Sequence, residues 1–352
     1  MPTQPASPQN PPTPSIDEKL RFLQSQSAHP NLKEPPGSLE THMSWLFFAD
    51  EQVLKLKKPV RFPFLDFSTL QAREFFCREE LRLNSRLAPG VYLGLLALQA
   101  TDTGFALVPE PELPAPGRTV DWLVLMRRLP QTRELQRLLA EGRVEAREID
   151  ALVAVLAAFY RHAPRIALTA QEYVARFQRE QAANREVLLR PQFDLRDAAA
   201  ALDRFDVALL DSALSLGERA ASGRVVDGHG DLRPEHVWLL EPPVVIDCLE
   251  FNAQLRQVDP FDEIAFLGLE CEMAGAPWIG ARLAAGCMAA LGDVSSPALM
   301  RLYTAHRALL RARLAMAHLL DLQPRTPDRW PPLAQRYIER ALLALNAAPA
   351  LC

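Results

Sequence analysis

Glycine is almost missing from the first 89 residues of this chain. Between Pro36 and Gly90 the only glycine is Gly37, and the G-x-x-x-x-G-K-[ST] pattern occurs nowhere. Cysteine is equally sparse: Cys77, Cys248, Cys271, Cys287 and Cys352 form no C-x-x-C pair. An odd, dispersed set excludes a disulfide framework and a clustered zinc site and reads as reduced core thiols. There is no excess of one charge, with 39 Lys and Arg against 43 Asp and Glu. No global field therefore recruits nucleic acid or an anionic membrane. Long apolar runs are missing as well, since none approaches the roughly 20 residues of a membrane span. The first 15 residues lack the apolar core of a signal peptide. The expectation is a soluble, cytoplasmic protein with a small-molecule partner, no nucleic acid and no membrane. Nothing in the pattern specifies an oligomeric state.

What is present is enough apolar sequence for a core, 49% of 352 residues. Six prolines in residues 1–15 disfavour helix and predict a disordered tail. From Ile16 to about 125 strands dominate around one helix. Ser44 to Phe48 and Val53 to Lys57 read as a hairpin, and Lys55 and Lys57 share the face opposite Leu54 and Leu56. "STLQ" at 68–71 has the form of a capping box and predicts a helix from about Thr69 to Leu87, stopped by Pro89 and Gly90. On that helix Glu80 falls within the apolar stripe set by Phe76, Leu83 and Leu87. Further strands follow at 92–99 and 105–108 and in "VDWLVLM". Residues 126–130 read as a connector. From 131 to 352 the pattern is helical, with one long helix expected over 260–290 and an inserted hairpin at 227–250. A strand-rich first third and a helix-rich remainder predict an α+β, two-lobed fold.

The inserted stretch, "DGHGDLRPEHVWLL" followed by "EPPVVIDCLEF", carries the densest chemistry. Asp231 lies in its loop, His236 begins a strand, and Asp247 ends the returning strand, so two carboxylates can converge across one hairpin. Such a pair suits a divalent cation with oxygen ligands, leaving the other acid to accept a proton from a hydroxyl. An upstream lysine, Lys55 or Lys57, and the inward Glu80 complete the parts that phosphoryl transfer requires. A metal-dependent hydrolase built on His229, Asp231, His236 and Asp247 is the rival use of the same residues. Asp259, Asp262 and Glu263 read most simply as negative charge at a helix start, with bracing of the 227–250 loop as the lesser reading. The arginines of "YTAHRALLRARLAMAHLL" read as a solvated face.

"HGDLRPEHVWLL" with "VVIDCLEF" resembles the H-G-D-x-x-x-x-N loop and later I-D of the aminoglycoside phosphotransferase and choline kinase group, which has the protein-kinase-like fold. "VLKL", "EELRLNSRLAP", "LVLMRRLP" and "VDPFDEIAFL" fall in that group's order, so the resemblance spans roughly residues 40 to 320. "LKLKKPV", "FLDFSTL" and "DCLEFN" look like a bacterial branch in which this domain is often fused to a P-loop domain, whose motif does not occur in this sequence. The resemblance implies an O-phosphotransferase that uses ATP and Mg2+ on the hydroxyl of a small molecule. By it, Asp231 is the base, His229 braces the loop, and Asp247 holds magnesium. Lys55 contacts phosphate while Glu80 fixes its ammonium, with Lys57 the alternative. Met126, Arg127 and Arg128 meet the adenine through their backbone.

Three departures from the family pattern stand out. His236 occupies the position of the second metal ligand, an asparagine in the family. Arg233 stands where H-G-D-x-H has histidine. No glycine-rich turn precedes the lysine strand, so donors to a triphosphate fall to the 41–52 segment. These departures motivate a second reading, a weak or inactive kinase-like protein that binds a nucleotide or a partner as a regulatory module.

Overall fold

A computed structural model describes residues 14–62, 64–320 and 326–346. Most of the proline-rich tail expected over 1–15, and Cys352, lie outside the described residues. The chain divides into two compact units, one ending at Leu129 and the other beginning at Pro130.

The first unit opens with α1 (Ile16–Leu23), whose N-cap Ser15 and Glu18 form a reciprocal capping box. It continues through β1 (Gly37–Glu40), β2 (Ser44–Ala49), β3 (Gln52–Lys57), β4 (Arg61–Phe62), β5 (Leu65–Asp66), α2 (Leu70–Asn84), β6 (Tyr92–Thr101), β7 (Gly104–Pro109) and β8 (Arg118–Arg127). Six of the strands make one antiparallel sheet in the order β1-β2-β3-β8-β6-β7. Strand alternation puts Leu54 and Leu56 on the face that packs with Leu23 of α1, Phe47 and Leu123. Lys55 and Lys57 turn to the other face, where both reach α2.

The start of α2 differs by one residue from the capping box read at Ser68. Thr69 is the N-cap and accepts the Ala72 amide, while the Ser68 hydroxyl bonds the Asp66 carboxylate. An acceptor two residues upstream took the serine, leaving the next hydroxyl to cap. Asp121 on β8 then ties three elements together. Lys19 of α1 reaches its carboxylate at 2.7 Å and Arg73 of α2 grips it through two nitrogens at 2.7 and 3.1 Å.

The second unit is mainly helical: α3 (Leu135–Ala140), α4 (Ala146–His162), α5 (Ala170–Leu188) and α6 (Ala198–Ala221), then α7 (Pro260–Met273), α8 (Pro277–Leu291), α9 (Pro297–Ala317) and α10 (Trp330–Asn346). Between α6 and α7 lie four two-residue strands: β9 (Val226–Asp227) pairs with β12 (Gln257–Val258), and β10 (Val237–Trp238) with β11 (Val244–Val245). The single helix expected over 260–290 is two. Gly275, at φ 92°, ends the first, and Pro277 opens the second. Gly268 and Gly280 let the two pack closely, because a Cβ on Gly268 would lie 2.9 Å from the Gly280 Cα.

Candidate active site

In the first unit, Glu80 is the centre of a charge cluster. Its helix packs on the sheet's lysine face, and its side chain is buried. Lys55 Nζ lies 2.7 Å from Oε1 and Lys57 Nζ 2.5 Å from Oε2, so one carboxylate holds two ammonium groups. The lysines are not equivalent. Lys57 is fully buried with its ammonium 4.9 Å from the centre of the Phe67 ring, whereas the Lys55 side chain keeps 15% of its surface. Lys57 therefore fixes Glu80 from within, and Lys55 is the cation presented outward.

The 41–52 segment, where donors to a triphosphate were expected in place of a glycine-rich turn, contains a tight hairpin. Asp50, at φ 48°, and Glu51 form the two-residue turn between β2 and β3. Arg128 holds this turn through its amide to the Glu51 carbonyl, 2.7 Å, and its guanidinium to the Asp50 carbonyl. Ser44 is buried and its amide bonds Thr41, while His42 is exposed.

Of the backbone groups expected to meet adenine, from Met126 to Arg128, two amides are already engaged. Met126 and Arg127 belong to β8, and the Arg127 amide already bonds the Val91 carbonyl at 2.8 Å. With Arg128 committed to Glu51, neither amide is spare, because strand pairing extends further along the chain than the apolar run suggested. Pro130 has no amide hydrogen, and among the described residues the Leu129 amide has no backbone acceptor.

In the second unit the chain passes from β9 into Gly228, His229, Gly230 and Asp231. Glu263, in the first turn of α7, receives this loop: its carboxylate accepts the His229 amide at 3.1 Å, the Gly230 amide, and the Tyr160 hydroxyl at 3.0 Å. The glycines are required for this approach. A Cβ on Gly228 would lie 2.5 Å from Val258 Cγ2 and 2.7 Å from Glu263 Oε2, and Gly230 adopts φ 90°. Burial pushes the Glu263 carboxyl up, against the three donors that favour its charge.

His229 is completely buried with both ring nitrogens engaged. Nε2 lies 2.9 Å from the Ile246 carbonyl and Nδ1 accepts the Asp231 amide at 3.2 Å, so the hydrogen sits on Nε2. Burial first, then the neighbouring His236, lowers its pKa to about 4. Such a histidine is neither a metal ligand nor a base, and the hydrolase built on it loses a member. Among the described residues no group of three or more His, Cys, Asp or Glu is placed to hold a metal.

Asp231 is three-quarters covered, and its carboxylate meets Arg233 at 2.9 Å. Burial would raise its pKa, but Arg233 and then His236 hold the carboxyl below its ordinary value. Arg233 also pairs with Glu235 at 2.5 Å. Asp247 follows β11 at φ 63°, a left-handed conformation rare outside glycine and asparagine, and 49% of its side chain is exposed. His236 stands between the two acids. Its Nδ1 is 2.8 Å from the Asp231 carbonyl and its Nε2 is 3.5 Å from Asp247 Oδ2.

Several positioning residues escaped the sequence reading. Arg256 bonds Asp227 at 2.8 Å and the Leu249 carbonyl at 2.6 Å, clamping the loop's two ends. Asp259, Asp262 and Glu263 are buried supports and not simple dipole charges. Arg219 and Tyr303 grip Asp259, and Arg307 grips Asp262 through two 2.7 Å bonds. The arginines of α9 are likewise committed, Arg311 to Glu270 and Arg313 to Glu180, and not solvated. The one available signal was the density of acids in "VDPFDE", more than a helix dipole needs.

The topology agrees with solved kinases. A choline kinase from Cryptosporidium parvum Iowa II superposes with TM-score 0.54 at 10% identity, covering 88% of each chain. A glucosamine kinase in complex with glucosamine, ADP and inorganic phosphate gives 0.53 at 13% identity, covering 88% of this chain and 80% of that one. A thermostable mutant of an aminoglycoside phosphotransferase, bound to AMP-PNP and hygromycin B, gives 0.52 at 12% identity, covering 89% and 94%.

The chain has the protein-kinase-like fold.

At such identities the likeness of this kinase-like chain to those enzymes is one of fold. No family model matches its sequence. Uncharacterised proteins of Mycobacterium tuberculosis H37Rv and Mycobacterium bovis are 33% identical over 308 residues, 84% of this chain. The kinase-like chain spans 58% of the length of these relatives. No described helix is long and apolar enough to cross a membrane.

Proposed function

We propose that the protein is an O-phosphotransferase that uses ATP and a divalent cation, Mg2+ in the ordinary case, on the hydroxyl of a small molecule. The observation that carries this reading is the placement of Asp231 and Asp247 on either side of His236, on a loop braced from below by Glu263. Asp231 would accept the hydroxyl proton. Its lowered pKa suits a base that takes the proton late, as the bond to phosphorus forms. Arg233 holds its carboxylate in place. Lys55 would meet phosphate oxygens, with Glu80 orienting the ammonium and Lys57 neutralising the carboxylate behind it. The Leu129 amide would join the backbone groups of Met126, Arg127 and Arg128 in meeting the adenine.

The donor set fits a cation: a half-exposed carboxylate and an imidazole nitrogen face one another across 3.5 Å. When bound, the cation would neutralise charge on the transferring phosphate. Cytoplasmic location and a partnership confined to small molecules belong to the same reading.

Thermal unfolding tests it. ATP with Mg2+ should raise Tm, and Asp247→Ala should remove the metal-dependent part. Asp231→Asn should leave nucleotide binding intact and reduce transfer to a hydroxylated metabolite library by about 10²- to 10⁴-fold. Absence of any ATP stabilisation would sink the proposal. The tight Asp50–Glu51 turn, pinned by Arg128, favours a second reading in which nucleotide is bound without turnover. Stabilisation by ATP with no phosphate transfer would select it.

A further inference from the structure

The identity of the metal can be taken further, on the basis of the phosphotransferase reading. His236 closes a short turn, Pro234–His236, and is buried. Its Nδ1 lies 2.8 Å from the Asp231 backbone oxygen. A carbonyl only accepts, so Nδ1 carries the hydrogen. In the neutral ring Nε2 is then a lone pair, and this lone pair stands 3.5 Å from Asp247 Oδ2. Two electron-pair donors facing at that range repel unless a cation or a proton lies between them. Histidines that bind metals are oriented in this manner, the far N–H being given to a backbone carbonyl.

We infer that His236 and Asp247 form a mixed nitrogen and oxygen site that takes Mn2+ or Co2+ in preference to Mg2+. Mg2+ is a hard ion that favours oxygen ligands in near-ideal octahedral geometry, whereas imidazole binds the later divalent ions better. An amide oxygen at position 236 would make both protein donors oxygens. Histidine makes one of them nitrogen and holds it rigidly through the residue proposed as base. With two protein donors, the remaining coordination positions fall to phosphate oxygens and water. The competing arrangement is a protonated His236 paired with Asp247 and no metal.

The probe is Mn2+ titrated into the full chain with ADP, for the wild type and His236→Asn. Free Mn2+ is followed by its electron spin resonance, and Mg2+ affinity is obtained by competition. In parallel, wild-type protein grown with 15N-histidine is examined by spin-echo modulation, an arm that needs no variant. We expect a nitrogen coupling that follows the histidine label and disappears in His236→Asn. The ratio of Mn2+ to Mg2+ affinity should fall about tenfold or more in that variant. Bound Mn2+ with no histidine coupling, or an unchanged ratio, would overturn the inference and leave the phosphotransferase reading standing. If neither ion binds with ADP in the wild type, both are overturned.

Discussion

Lys55 and Lys57 sit two positions apart on one strand face, yet their roles separate with burial. Lys57 is enclosed with Glu80, and removing it leaves a buried carboxylate with half its compensation. Lys57→Met should destabilise the protein by about 3 kcal/mol, since breaking a buried pair typically costs 3–5 kcal/mol and Lys55 retains part of the contact. Lys55→Met should cost about 1 kcal/mol or less while abolishing ATP stabilisation. Urea unfolding and an ATP titration on the two variants check this, and equal stability losses would contradict the division. That both lysines share one strand face was readable from "VLKLKK". Which one is buried was not, because alternation assigns a face and says nothing of how deeply each position lies under α2.

At the scale of the element, the loop from β9 to Asp231 is held by α7 as well as by its own hydrogen bonds. Glu263→Gln would turn an amide N–H toward one of the two backbone donors, His229 or Gly230. The expected loss is about 1–3 kcal/mol, the penalty for a buried donor without an acceptor. Transfer activity should fall with it while affinity for ATP, assigned to Lys55, changes little. Gly228→Ala should be worse in thermal unfolding, because its Cβ would meet both Val258 and Glu263 inside 3 Å. The acids of "VDPFDE" were visible in the sequence, but their spacing is also that of an ordinary helix start. Only the approach of Arg219, Arg307 and two loop amides distinguishes a buried support from a dipole charge. The one-residue shift of the α2 cap has a local origin, the Asp66 carboxylate two residues upstream competing for the Ser68 hydroxyl.

Over the whole molecule, two buried histidines link stability to pH. His229 and His306 both have pKa values lowered to about 4, burial being the leading cause in each. His306 packs against Phe177 at 4.8 Å between ring centres, and among the described residues its Nδ1 has no hydrogen-bond partner. The unfolded chain binds protons at the ordinary value of 6.5, the folded one only near 4. Between these values the unfolded state holds more protons, so stability rises with pH across the window and is lost as pH falls from 6.5 toward 4. At pH 5 each histidine should cost about 2 kcal/mol relative to pH 7. His306→Leu should remove about half of that pH dependence in urea unfolding, and an unchanged slope would contradict the assignment.

The sequence by itself determined the order of most elements, the inward position of Glu80 and, through a family resemblance, the protein-kinase-like fold. These follow from periodicity, from turn residues and from a motif confined to a few consecutive positions. The tertiary structure decided which lysine is buried, which backbone amides are already used, and how the buried acids of α7 are matched by arginines from α6 and α9. It also decided which ring nitrogen of His236 faces Asp247. Each of these depends on partners 23 to 77 residues away, or on which of two ring nitrogens is engaged. No local pattern encodes such choices, because they are set by which surfaces pack together once the elements have formed.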